Sequence, residues 1–275
     1  MAQLCLGMAT SHLAHIVNAR DLGDPQQVAT FDAGYRRLAE ALEQAAPDVS
    51  LIISADHVNK FFIDTMPAFA IGMFDAFSGP VEARNRNFGM PYRRVPSDLG
   101  FARYLIDRGL DEGVDWAIVE SWDVDHGYMV PLFKLDPDAR YPMVPVFINC
   151  AAPPLPSPRR CYAVGKWLAD AIHRWDCDKR VAIIATGGLS HSVGSVKQGW
   201  IDVEFDRRFL DDFCGGRGDT LAALSDAEIS ATGSATGEIR SWIVLAGAFA
   251  GRTAEQVMYE PIQGFDTGCA QCLIV

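Results

Sequence analysis

The stretch "KRVAIIATGGLSHS" (residues 179–192) decides the fold. Its centre, Val181 to Ala185, is a short apolar run with no polar alternation, the composition of a strand buried on both faces. Gly187 and Gly188 break the run, and Ser190 and His191 follow at once. Strands covered on both sides belong to α/β sheets, where ligands gather beyond the carboxyl ends of the strands. A histidine just past such an end is either part of a turn or a titratable ring delivered to a site.

The same design recurs along the chain. "AQLCLGMATSH" (2–12), "DVSLIISADH" (48–57) and "DWAIVESWDVDHG" (115–127) each run from an apolar strand into a histidine. "FAIGMFDAF" (69–77) and "YPMVPVFIN" (141–149) read as further strands, the second followed by a proline-rich loop. Between them lie helical patterns: "TFDAGYRRLAEALEQAAP" (30–47), "SDLGFARYLIDRGLDEG" (97–113) with Ser97 as N-cap and Gly109 near its end, "RRCYAVGKWLADAIHRWD" (159–176), and "SATGEIRSWIVLAGAFAG" (234–251) with Glu238 in its first turn. Alternating strands and helices, without a repeat or a long linker, predict one α/β domain over residues 1–275, with a central mixed sheet flanked by helices.

Of 275 residues 49% are hydrophobic, enough for a full core. The net charge of −11 argues against a nucleic-acid partner, since phosphate binding needs a basic surface. No apolar run reaches the ~18–20 residues of a membrane helix. The segment "MAQLCLGMATSH" lacks the basic start of a signal peptide, and seven scattered cysteines suit a reducing compartment, so the expectation is a cytoplasmic protein. Cys269 and Cys272 form a lone C-x-x-C without the second pair that a metal site usually needs.

His12, His57, His126 and His191 thus share one context, a strand-like run ending at a histidine. Four rings so placed point to a site, and imidazole with carboxylate points to a metal. Two histidines and one carboxylate leave one face of an ion open, the arrangement of non-haem Fe(II) enzymes that handle dioxygen. Asp56, Asp123, Asp125 and Glu238 are the candidate carboxylates. H-E-x-x-H, G-x-S-x-G, P-loop and G-x-G-x-x-G motifs are all missing from the sequence.

These segments, in order, carry a resemblance. "TSH", "DH", "MPAFAIG", "DVDHGYMVPL", "VPVFIN", "PPLPSPRRCYAVG", "TGGLSHS" and "GEIRSWI" resemble the class III (LigB-type) extradiol ring-cleavage dioxygenases, in particular the catalytic β subunits of protocatechuate 4,5-dioxygenases. The resemblance implies a single α/β catalytic domain that opens the ring of a substituted catechol with O2 at Fe(II). It implies His12, His57 and Glu238 as iron ligands, with His126 and His191 beside them. An Fe(II) Lewis acid lowers the pKa of a bound catechol. His191 is the candidate base for the remaining proton and His126 the donor to the developing oxygen anion, because imidazole titrates near ~6.5. "QGFDTGCAQ" (263–271) resembles a substrate-binding region, with Thr267 the candidate contact. Protocatechuate, gallates, aminophenols and biaryl diols all remain open as substrates. The resemblance also implies a small α subunit or a homodimer. Two other readings stay open: a protein of this scaffold that binds or signals without cleaving rings, and a Zn(II) enzyme on the same ligands.

Among the remaining residues, Asp56 and Asp125 are possible partners of ligand histidines, and Asp123 either faces His126 or caps a turn. His15 and His173 read as lacking a site role. Arg159 and Arg160 read as exposed or paired with a carboxylate. Phe61, Phe62 and Trp122 read as pocket lining or core.

Overall fold

The computed structural model describes residues 1–84 and 88–275. Ten strands form: β1 (Gln3–Thr10), β2 (Val49–Ser54), β3 (Phe69–Gly72), β4 (Ala76–Gly79), β5 (Arg93–Pro96), β6 (Ala117–Val119), β7 (Met143–Ile148), β8 (Arg180–Thr186), β9 (Glu255–Ile262) and β10 (Thr267–Ile274). The helices are α1 (His15–Asn18), α2 (Pro25–Ala45), α3 (Leu99–Glu112), α4 (His126–Leu135), α5 (Pro158–Arg174), α6 (Val203–Cys214), α7 (Gly218–Ala222), α8 (Asp226–Ala231) and α9 (Ile239–Ala248).

Eight strands make one mixed sheet in the order β6-β3-β7-β2-β8-β1-β10-β9. Its centre, β7-β2-β8-β1, is parallel. β3 runs antiparallel to β7, and β10 antiparallel to β1. The unbroken apolar runs have the cause expected: in β2, Leu51 and Ile53 enter the core on one face while Ile52 enters the core on the other. The first core is closed by α3, α5, α6 and α9, through residues such as Phe101, Leu168, Phe209 and Trp242. The second is closed by α2 and α4, through Phe31, Leu38, Tyr128 and Leu132. The mixed α/β sheet flanked by helices is therefore as the sequence indicates.

Several local expectations change. "FAIGMFDAF" is two strands in different sheets, β3 in the large one and β4 paired with β5 in a small one. α2 starts at Pro25 behind Asp24, whose carboxylate accepts from the backbone of Gln26 and Gln27 at 2.9 and 3.1 Å. Asp98, not Ser97, caps α3, and the helix ends on Gly113 in the left-handed region, with Gly109 near its end as expected. Gly109 sits inside α3, where a Cβ would lie 2.6 Å from the Val114 carbonyl oxygen. Glu238 closes a 3-10 turn, Thr236–Glu238, immediately before α9 rather than lying within it. β9 and β10, and the helices α6 to α8, lie outside the segments for which the sequence pattern predicts an element.

Candidate metal and ring-cleavage site

β1, β2 and β8 are parallel neighbours, so their carboxyl ends share one sheet edge. His12, His57 and His191 follow those ends. His126 reaches the same place by another route. Its strand, β6, is parallel to β3 and so runs against the central four. The chain then returns beside β4, with Ser78 bridged to Asp123, and presents His126 at the first position of α4. Glu238 arrives from the turn before α9.

The side chains converge. His57 Nε2 lies 3.2 Å from Glu238 Oε1, and His12 Nε2 lies 3.5 Å from Oε2. His191 Nε2 is 3.8 Å from Oε2. The His126 ring stacks on His57 with centroids 4.2 Å apart. His12, His57 and His126 bring ligand nitrogens within 4.8 Å of one another, a group able to hold a metal ion. All five histidine and glutamate positions named from the sequence therefore meet at one point.

Each ring is fixed from behind. Thr186 Oγ1 donates to the Gly127 carbonyl at 3.0 Å, so it accepts from His12 Nδ1 at 3.0 Å. Asp125 Oδ2 accepts from His57 Nδ1 at 2.9 Å and from the His57 backbone N–H at 2.8 Å. Glu82 Oε1 accepts from His126 Nδ1 at 2.7 Å. The Leu189 carbonyl accepts from His191 Nδ1 at 2.9 Å. With Nδ1 the donor in every case, each ring turns its Nε2 inward, a lone pair wherever the ring is neutral. Two imidazole lone pairs and a buried carboxylate aimed at one point form the donor set of a divalent transition metal, and carboxylate or hydroxyl partners behind ligand histidines are typical of such sites.

The electrostatics agree. Burial favours the neutral acid at Glu238, but His12 and His191 outweigh it and hold the carboxyl well below the usual range. Burial drives His12 below the ordinary imidazole value against the pull of Glu238. Burial opposes protonation of His57 too, yet the carboxylates of Asp125 and Glu238 prevail and raise it well above that value. Glu238 is further held by the Gly188 backbone N–H, which donates to Oε2 at 2.8 Å. Gly187 has φ +123°, and a Cβ there would lie 2.7 Å from Glu238 Cβ. The double glycine of the opening stretch thus brings backbone against the carboxylate.

The remaining candidates separate. Thr267 is buried, lines the cavity over the site and bridges to His191, while its hydroxyl donates to the Phe265 carbonyl at 2.8 Å. Asp125 serves His57, not the neighbouring His126. Asp56 caps its own loop, with Oδ2 accepting from the backbones of Asn59, Lys60 and Phe61. Asp123 accepts from the Tyr92 hydroxyl at 2.7 Å and pairs with Arg84, away from His126. His15 is not bare surface: it stacks on Phe265 at the cavity wall. His173 is exposed, as expected. Arg159 is exposed, and Arg160 donates to the Gly113 carbonyl rather than to a carboxylate. Phe61 and Trp122 are core, and Phe62 is exposed. Cys269 and Cys272 lie buried on β10, with Cys272 Sγ 3.7 Å from Cys214 Sγ. Glu82 stands in no recognisable motif, and Thr186, the first residue of "TGGLSHS", carries no ionisable group to single it out.

The cavity over this cluster has a volume of about 650 Å³ and reaches from the histidines to Phe265, Asp266 and Thr267. Residues 6–268 match the family model described as the catalytic LigB subunit of aromatic ring-opening dioxygenase. The chain belongs to the LigB family. Curated relatives of this LigB chain include 2,3-dihydroxyphenylpropionate/2,3-dihydroxicinnamic acid 1,2-dioxygenases. The one from Photorhabdus laumondii is 29% identical, over 86% of this chain and 87% of that protein. The one from Xanthobacter autotrophicus is 28% identical, over 90% and 93%. The one from Mycobacterium ulcerans is 37% identical, over 70% of this chain and 58% of its own length. The LigB fold is shared with an uncharacterized Escherichia coli K12 protein, JW3007, at a TM-score of 0.62 and 14% identity, covering 98% of this chain and 100% of the other.

Proposed function

We propose that this LigB-family chain cleaves the ring of a substituted catechol beside its two hydroxylated carbons, with both atoms of O2 entering a semialdehyde-type product. In this reading His12, His57 and Glu238 hold Fe(II), and residues 1–275 act as one catalytic unit. The observation that carries it is the convergence of two inward-facing imidazole nitrogens and one buried carboxylate, under a cavity of about 650 Å³, with two further histidines in reach. Glu238 is favoured over His126 as third ligand because a single anion offsets part of the ion's charge, and because its two oxygens lie 3.2 and 3.5 Å from the inward nitrogens of His57 and His12.

Bound Fe(II) supplies Lewis acidity toward the diol and a place for O2. The chain's own residues do the rest. His191, with its proton fixed on Nδ1 by the Leu189 carbonyl, offers Nε2 as the acceptor for a substrate hydroxyl proton and can return that proton when the ring opens. His126, anchored through Nδ1 on Glu82 and stacked on His57, places its Nε2 beside the oxygen charge that develops in the transition state. Thr267 and the stacked Phe265–His15 pair form the wall for the ring substituent. The relatives' names make 2,3-dihydroxyphenylpropionate the first probe, ahead of protocatechuate.

The test is oxygen uptake and product absorbance of iron-loaded protein with that probe and a catechol panel. Stoichiometric iron with a ring-opened product supports the reading. An iron-loaded chain that consumes no O2 with any of them ends it. Activity restored by Zn(II) and not by Fe(II) would select the zinc alternative.

A further inference from the structure

Asp206 lies in α6, on no wall of the cavity, with no exposed surface. A buried carboxylate without partners is strongly unfavourable, so its partners reveal what it is for. It accepts from the Ser190 backbone N–H at 2.9 Å, from Ser190 Oγ at 2.9 Å and from the Tyr259 hydroxyl at 2.8 Å. Two of the three come from the residue next to His191.

Every polar group of Ser190 is thereby committed. Its Oγ also accepts from the Asp202 backbone N–H at 2.9 Å, and its carbonyl accepts from the Gly268 N–H at 3.0 Å. The Gly268 carbonyl in turn accepts from the Leu189 N–H at 2.6 Å. Gly268 leaves the carboxylate its room: a Cβ there would stand 1.9 Å from Asp206 Oδ2. α6, the first residues of β10 and the 189–191 turn are thus interlocked through one carboxylate. His191 follows directly, its Nδ1 on the Leu189 carbonyl and its Nε2 toward Glu238.

We propose that Asp206 is a positioning residue for ring cleavage: by gripping Ser190 it sets the point from which His191 Nε2 meets the substrate hydroxyl. The inference rests on the reading of His191 as the group that exchanges protons with the catechol. Asp206 touches neither ligand nor substrate, so its effect passes through His191 alone. Near neutral pH its carboxyl, pushed up by burial only to about 6, is ionised and accepts all three bonds.

Two variants test this. Asp206→Asn keeps the volume but turns an amide donor toward groups that are themselves donors. Ser190→Ala removes both Oγ bonds, to Asp206 and from the Asp202 N–H, and keeps the carboxylate on two, and it decides the matter if the first variant does not fold. Each is made in the parent and in His191→Ala. The expected result with 2,3-dihydroxyphenylpropionate is kcat down ~30-fold or more for Asp206→Asn and ~10-fold for Ser190→Ala, with KM within ~3-fold and full iron content, the scale of a misplaced proton-transfer group. In the His191→Ala background the same changes should move kcat less than ~2-fold, because groups acting through one residue are not additive. Losses that multiply with that of His191→Ala, or an unchanged kcat, overturn the proposal. A second readout needs no iron and no turnover: the ¹⁵N-edited signal of the His191 Nδ1–H in metal-free protein. It should shift or broaden in both variants, and an unmoved signal also overturns the proposal. If the parent enzyme opens no catechol while this signal still responds, the ring-cleavage reading fails and the Asp206–His191 linkage stands.

Discussion

At the scale of single residues, ligands and proton carriers should part company when replaced. Glu238→Gln and His57→Ala remove one of three donors from different segments, and purified protein should carry less than ~0.1 iron per chain by elemental analysis. His191→Ala should keep its iron and lose on the order of 10²–10⁴ in kcat, the usual worth of a general acid–base group. Iron loss in that variant would contradict the assignment. Asp125→Asn leaves the ligands in place but loosens the His57 ring, and chelator competition should show affinity reduced ~10–100-fold. The sequence made His12, His57, His126, His191 and Glu238 legible because each stands in a short motif of its own. It left Asp125 undecided because position 125 adjoins His126, whereas the bond that matters reaches back to position 57. Glu82 was not legible at all: a surface-like acid in a short turn becomes a partner of His126 only once β4 and the 120–125 return lie side by side.

At the scale of elements, the β8–Gly–Gly turn is a tight joint between the sheet and Glu238. Gly187→Ala forces a left-handed φ on a side chain and drives its Cβ into Glu238, so it should cost about 1–3 kcal/mol in urea unfolding and lower iron content together. An iron-replete variant of unchanged midpoint would refute the close approach. The central strands were readable because burial on both faces leaves an unmistakable run. β10 was not, since "TGCAQCLI" is wholly buried yet mixes small and polar residues, so neither alternation nor an aliphatic run marks it. "FAIGMFDAF" misled for the opposite reason: one largely apolar stretch serves two sheets, and Gly72 and Asp75, which flank the bend, are too few to mark a turn against it.

At the scale of the whole molecule, stability should depend on metal and on pH. On the proposed ligand set Fe(II) would join residues 12, 57 and 238, so saturating Fe(II) at a hundredfold its Kd should add about 2.7 kcal/mol, a Tm rise of several degrees that chelation reverses. Asp206 titrates at about 6 in the native state against 3.8 as its ordinary value, raised chiefly by burial. Between those values the native protein holds a proton that the unfolded chain has released. This contribution is therefore full below ~pH 4 and declines as pH rises through 6, by on the order of 3 kcal/mol in all. The unfolding free energy of the parent relative to Asp206→Asn should shrink by that amount between pH 4 and about 6.5, and a flat difference would count against it. Among the described residues no helix is long and apolar enough to cross a membrane. Finally, the opening strand is sandwiched between β8 and β10. On a growing polypeptide, β1 can therefore pair on one side once residues 180–186 have emerged, while its other edge stays open until residues 267–274 follow.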